Sequence, residues 1–142
     1  MSENEQMQVS PTGAKKAGNL QRVGLVPPEF ILALSRHYGI GAKKYASHNW
    51  RGGFDWEWAY NAALRHILLF WQGEDMDDCK CTPQKTGDEL PCLECGGTGS
   101  PHVIAAAWQC CALYIFMSEH PELDTRWSTV KETLQKAAQG ET

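Results

Sequence analysis

The sequence predicts an all-α fold of about four helices in a bundle, with a small four-cysteine zinc-binding insert between helices two and three. Three observations predict it. Apolar residues recur at three- and four-residue intervals in four segments, no segment alternates convincingly with period two, and Pro, Gly and Asp stand where those segments begin and end. With 142 residues, 42% of them hydrophobic, the chain has room for one domain with a core. The predicted organisation is a flexible tail over 1–19, a single helical domain over 20–142, and the insert at 79–100 within it.

The elements follow in order. Met1–Asn19 is polar and carries Gly, Ser and Pro, the composition of a flexible tail. Its Gly13-Ala-Lys-Lys16 recurs at Gly41–Lys44, too short a match to be a repeat. Pro27 and Pro28 suit a helix entrance, where a missing amide hydrogen costs nothing. Ile31, Leu34 and Tyr38 then fall at helical spacing, and Gly39 and Gly41 end the run. Asp55 is placed to cap a second helix reaching about Gln72, with Tyr60, Leu64, Ile67, Leu68 and Trp71 as its apolar stripe and Gly73 as its stop. Ser100 and Pro101 announce a third helix, about His102 to Glu119. It is apolar nearly all round and therefore central, with Cys110 and Cys111 read as small core hydrophobes. Pro121 ends it, and Asp124 is placed to cap a last helix bearing Trp127, Val130 and Leu134.

Charge narrows the function. A formal net charge of −4 gives no global basic field, so nucleic acid is not an expected partner. The first twenty residues have no apolar core of a signal peptide. The longest apolar stretch, Val103–Met117, is broken by Gln109 and falls short of the roughly 20 residues of a membrane span. The expectation is a soluble, cytoplasmic protein, and six cysteines in such a chain point to metal or buried thiols before disulfides. Six tryptophans in a four-helix chain suggest an apolar face covered by a homo-oligomer.

The insert reads CKCTPQKTGDELPCLECGGTGS. Cys92-x-x-Cys95-x-Gly-x-Gly resembles the zinc knuckles of DnaJ-type chaperones, in which the turn aims two sulfurs at one point and the glycines admit backbone amides to them. Cys79-Lys-Cys81 has one intervening residue where two are usual. A set of Cys79, Cys81, Cys92 and Cys95 leaves no open position on a tetrahedral ion, so zinc here would be structural. The other reading is four thiols on a loose loop.

Four further clusters bear chemistry. Gly41–Phe54 crowds Lys43, Lys44, His48, Asn49 and Arg51 between Tyr45 and Trp50; those two rings could stack a base or simply pack. Arg65 and His66 lie mid-helix, where arginine needs an acid or a cavity and histidine is commonly a satisfied core residue. Glu74, Asp75, Asp77 and Asp78 crowd a helix exit. They form a solvated acidic turn, or hold a hard ion such as Mg²⁺ if the helix runs one more turn. His102 sits in the first turn of the third helix, as a cap or where anions gather. Cations on one wall and carboxylates on the other describe a site for a nucleoside triphosphate with a divalent ion.

The order of the blocks TGAKK, LVPPEFILALSRHYGIGAKKYASHNWRGG, ALRHILLFWQGED and HVIAAAW resembles the phage dATP/dGTP diphosphohydrolase N-terminal-type family, compared with the all-α MazG-type nucleotide pyrophosphohydrolases. Its most specific residues are Gly41–Tyr45 with Asn49-Trp50, and Ala63–His66. The resemblance implies Mg²⁺-dependent cleavage of deoxypurine triphosphates to monophosphate and pyrophosphate, in a host bacterial cytoplasm. The paired Glu-x-x-Glu of MazG-type enzymes is absent from the core helices, and the cysteine insert interrupts a junction that is usually short. The expected roles are then Glu74, Asp75 and Asp77 on Mg²⁺; Lys43, Lys44 and Arg65 on phosphate charge; and His66 or Glu57 on the attacking water. Asn49, Tyr45, Trp50 and His102 would meet the rest of the substrate. Two rivals stand beside this expectation. One is a nucleotide-sequestering protein on the same scaffold, and the other makes the zinc knuckle a protein-docking module.

Overall fold

The computed structural model describes residues 5–81, 91–92 and 94–140; positions 82–90 and Leu93 of the predicted insert, and the first four residues of the predicted tail, lie outside the described residues. The chain divides into two compact units, Met1–Ile31 and Leu32–Thr142.

The first unit departs from the prediction. The segment read as a tail carries an antiparallel hairpin, β1 (Gln6–Val9) and β2 (Lys15–Gly18), with Met7 opposite Ala17 and Val9 opposite Lys15. Its turn is closed by Ser10, whose amide donates to the Ala14 carbonyl at 2.8 Å while its hydroxyl accepts the Ala14 amide at 3.1 Å. Gly13 supplies the positive φ of 85°. All four residues of β1 are exposed, so neither face needs an apolar row, and the alternation that betrays a half-buried strand never arises. A 3₁₀ turn at Val23–Leu25 follows.

Four α-helices follow among the described residues: α1 (Pro28–Tyr45), α2 (Trp56–Trp71), α3 (His102–Glu119) and α4 (Trp127–Ala138). α1 opens with Pro28 as expected but runs straight through Gly39 and Gly41. Each glycine weakens a helix by only about 1 kcal/mol. Tertiary anchors here outweigh that: Ile40 is buried, and the Tyr38 hydroxyl donates to Cys111 Sγ at 2.8 Å. α1 ends instead where Ala46 and His48 take positive φ.

α2 stops by a C-terminal turn that uses the predicted glycine. Gly73, at φ 101°, donates to Phe70 O, and Glu74 donates to Leu69 O. Which face it buries differs from expectation. Trp56, Ala59, Ala63 and His66 are buried, whereas Tyr60, Leu64, Ile67, Leu68 and Trp71, the predicted core stripe, are exposed. α2 packs chiefly on α3. Ala105, Ala106 and Ala112 are buried on α3 as Ala59 and Ala63 are on α2, and small residues let two helix backbones approach closely.

Around Trp56, Ala112 and Phe116 gather Trp50, Phe54, Trp108, Leu113 and Leu123. Phe54 meets Phe116 edge-on at 4.9 Å, and Trp50 lies 6.1 Å from both Tyr38 and Trp108. Cys111 sits beside this core, but Cys110 is exposed rather than buried. Asp124 lies two residues before the N-cap of α4. It accepts the Arg126 amide at 3.0 Å and the Thr129 hydroxyl at 2.8 Å, and hydrogen bonds from Arg126 hold its carboxyl well below the usual range. Among the described residues no helix is long and apolar enough to cross a membrane.

Candidate metal and substrate site

The exit of α2 and the entrance of α3 are tied by short antiparallel pairing. Asp77 N donates to Ser100 O and Gly99 N to Asp77 O, both at 2.8 Å; His102 N donates to Asp75 O at 2.9 Å; and Met76 bridges Pro101. Two clusters of ligand-type side chains form around this pairing among the described residues.

The first is the four-cysteine set. The sulfurs of Cys79, Cys81, Cys92 and Cys95 all lie within 4.8 Å of one another, and Cys79 Sγ is 3.7 Å from Cys95 Sγ. A metal–sulfur distance of about 2.3 Å in a tetrahedron gives sulfur–sulfur edges of about 3.8 Å, so the thiols are spaced for one ion. The knuckle is shaped by its glycines. Gly96 N donates to Cys92 O at 2.8 Å, and Gly97 O accepts the Cys92 amide at 3.0 Å. A Cβ on Gly97 would meet the backbone of Asp78 and Cys79 at 2.8 Å, so only glycine lets the two cysteine pairs close on each other. Hydrogen bonds from the Gly97 and Lys80 amides pull the Cys95 thiol below its ordinary pKa. The single residue of Cys79-Lys-Cys81 therefore does not prevent convergence. The set lies between α2 and α3, as the spacing predicted.

The second cluster was not read as a unit from the sequence. His66 from α2 and His102 from α3 face each other, Nδ1 to Nδ1, at 2.9 Å. An Asp77 carboxylate oxygen lies within 4.8 Å of both ring donors. His102 is fully buried, and its far nitrogen Nε2 is 3.0 Å from Glu74 Oε1. An ionised carboxylate only accepts, so Nε2 carries the proton, the His102 Nδ1 lone pair faces His66, and His66 Nδ1 donates. Glu74 is held ionised by that bond and by Lys80, whose Nζ is 3.0 Å from Glu74 Oε2. Asp77 is fixed in turn, since its Oδ2 accepts from the Thr98 amide at 3.3 Å and the Thr98 hydroxyl at 3.1 Å. Beside them His37 Nδ1 is 2.8 Å from Ser100 Oγ. Burial first, and then the neighbouring His66 charge, lowers the His37 pKa; burial is also the main cause lowering His66. Both rings therefore favour the neutral form at neutral pH. His37, Ser100, Thr98 and Lys80 went unsingled in the sequence as site residues. They come from a helix, a knuckle and a loop, so no local pattern joins them.

Of the predicted residues, Glu74 and Asp77 join this cluster and most of the others lie away from it. Glu74, Asp75 and Asp77 do not gather as an all-oxygen set, because α2 ends at Trp71 and gains no further turn to align them. Both Glu74 oxygens are engaged, and Asp75 is exposed. Arg65 is exposed beside His66. Glu57 is nine residues before His66 on the same helix, about 13 Å along its axis, which separates it from the cluster. Lys43, Lys44 and Tyr45 form the exposed last turn of α1, with Lys44 Nζ 5.1 Å over the Tyr45 ring. Asn49 is exposed and opens a 3₁₀ turn, Asn49–Gly52. Trp50 is partly buried and packs among Tyr38, Trp108 and Phe116, the packing role the sequence also allowed. Among the described residues, no hydrogen bond, ion pair or ring contact joins Lys43, Lys44, Tyr45 or Asn49 to the histidine cluster.

The family model described as dATP/dGTP diphosphohydrolase, N-terminal, matches residues 10–126, a span that begins just after β1 and contains β2, both clusters and α1 to α3. The chain belongs to the dATP/dGTP diphosphohydrolase N-terminal family. No curated protein and no solved structure matches it.

Proposed function

We propose, from that membership, that the chain hydrolyses dATP or dGTP between the α- and β-phosphates, releasing the deoxynucleoside monophosphate and pyrophosphate. The observation that carries the reading is the convergence of His66, His102, Asp77 and Glu74 at one junction, inside the matched span. Such a group of buried imidazoles and fixed carboxylates can accept and hold protons during attack by water. Mg²⁺ would arrive with the triphosphate, since such ions are usually bound through phosphates and one or two carboxylates. Exposed Asp75 is the carboxylate free to meet it. A divalent ion supplies charge neutralisation and a more acidic water. Arg65, with Lys43 and Lys44 if the nucleotide extends to the end of α1, would offset negative charge on the phosphates. His66 or Glu57 would orient water; the position of His66 at the junction, nine residues from Glu57, supports the former, acting through a bound ion.

The four-cysteine cluster is proposed to hold a structural zinc, and the large exposed residues of α2 to be covered by a second copy of the chain. Incubation of the purified protein with dATP or dGTP and Mg²⁺, followed by chromatography, should yield monophosphate and pyrophosphate. Tight nucleotide binding with no product would instead mark a sequestering protein.

A further inference from the structure

We propose that His66, His102 and Asp77 form a site for a divalent first-row transition ion, distinct from the four-thiol cluster and from any Mg²⁺ carried by the nucleotide. This deepens the reading above by naming the metal chemistry of the same junction.

Two imidazole nitrogens 2.9 Å apart need a positive centre between them, either one proton or one cation. The surroundings favour the cation. With metal–nitrogen bonds of about 2.1 Å, that separation subtends roughly 90° at an ion, the cis angle of an octahedron. A carboxylate oxygen of Asp77 within 4.8 Å of a ring donor of each histidine offers the third ligand, and water or phosphate would fill the remaining positions. The group behind His102 is as informative as the donors. Glu74 on His102 Nε2 is the carboxylate–histidine arrangement that fixes ring orientation and raises ligand basicity at metal centres. The buried Nε2–H of a metal-free pair needs only some acceptor, whereas the charge on that acceptor, and an aspartate clamped by Thr98 within reach of both rings, serve a bound cation. Two imidazoles and one carboxylate are a poor set for Mg²⁺, which demands oxygen. They suit Mn²⁺, Fe²⁺, Co²⁺ or Zn²⁺. On binding, His66 shifts its proton to Nε2 and frees Nδ1, so the neutral ring ligates without further protonation change.

The test uses the full chain, its thiol cluster first filled with one equivalent of zinc, and Mn²⁺ as probe. Calorimetry should show one further Mn²⁺ per chain, and Asp77→Asn should weaken it by more than tenfold. Glu74→Gln, which keeps a hydrogen-bond acceptor but removes the charge, should weaken it by about 10–100-fold. Because substitutions near buried rings can disturb folding, the unmodified protein provides a second readout. Substoichiometric Mn²⁺ should broaden the imidazole signals of His66 and His102 before those of His48 and His120. Absence of a second saturable site, or broadening that begins at His48 or His120, overturns the proposal. The two readings fail separately. Binding at the rings without cleavage of dATP or dGTP would remove the hydrolase reading and leave this site. Cleavage with the rings untouched by Mn²⁺ would do the reverse.

Discussion

The two clusters at the α2–α3 junction are built from opposite materials. The four thiols come from two short turns, two of them exposed, and are four soft donors spaced for one ion. The histidine cluster draws His66 and His102 from different helices, 36 residues apart, buries both rings, and has three donors rather than four. A closed set staples and an open set can work on a substrate. The two are also mechanically joined. Thr98, just beyond the knuckle, clamps Asp77, and Lys80, between two cysteines, pairs with Glu74. The contrast teaches that the thiol cluster's contribution to any chemistry passes through the position of Asp77 and Glu74.

The largest expected effect separates the clusters outright. His102→Gln should lower dGTP turnover by more than the roughly 10–100-fold that loss of an outer-shell partner costs, while retention of one equivalent of zinc at the thiol cluster, read by a chromophoric chelator, stays unchanged. Next comes the converse. Cys92→Ser with Cys95→Ser should abolish zinc binding at the thiol cluster yet leave residual turnover, reduced about 10–100-fold as Thr98 loses its hold on Asp77. Complete loss of turnover in a chain that remains helical by circular dichroism would make the thiols part of the active centre.

Gly97→Ala probes the knuckle alone. The added methyl meets backbone that cannot easily give, so about 1–3 kcal/mol of overpacking should appear as weakened zinc retention. Thr98→Val is the mildest. It removes one of two hydrogen bonds to Asp77, a loss of about 0.5–1.5 kcal/mol, and should lower turnover by a small factor with zinc undisturbed.

The same contrast explains what was legible in the sequence. Cys92-x-x-Cys95 and its glycines declare themselves because the geometry lies within a few residues, and the helix starts at Pro28 and His102 are equally local. The face α2 buries was not legible. Its large residues form the more hydrophobic stripe, yet the small face with Ala59, Ala63 and His66 is the one turned inward, a choice set by how closely α3 can approach. Gly39 and Gly41 looked like a stop because propensity is local, whereas the bond from Tyr38 to Cys111 spans 73 residues. The carboxylates after Gly73 were seen as a group, but which of them faces a ring depends on the Met76–Pro101 pairing, which no periodicity announces.

The most direct measurement is anomalous diffraction from crystals of protein loaded with one equivalent of Zn²⁺ and then soaked in Mn²⁺, recorded on either side of the zinc absorption edge. The expected result is a zinc peak among Cys79, Cys81, Cys92 and Cys95, and a separate manganese peak beside His66 Nδ1, His102 Nδ1 and Asp77. A map with density only among the sulfurs, and the two rings still sharing a proton, would contradict it.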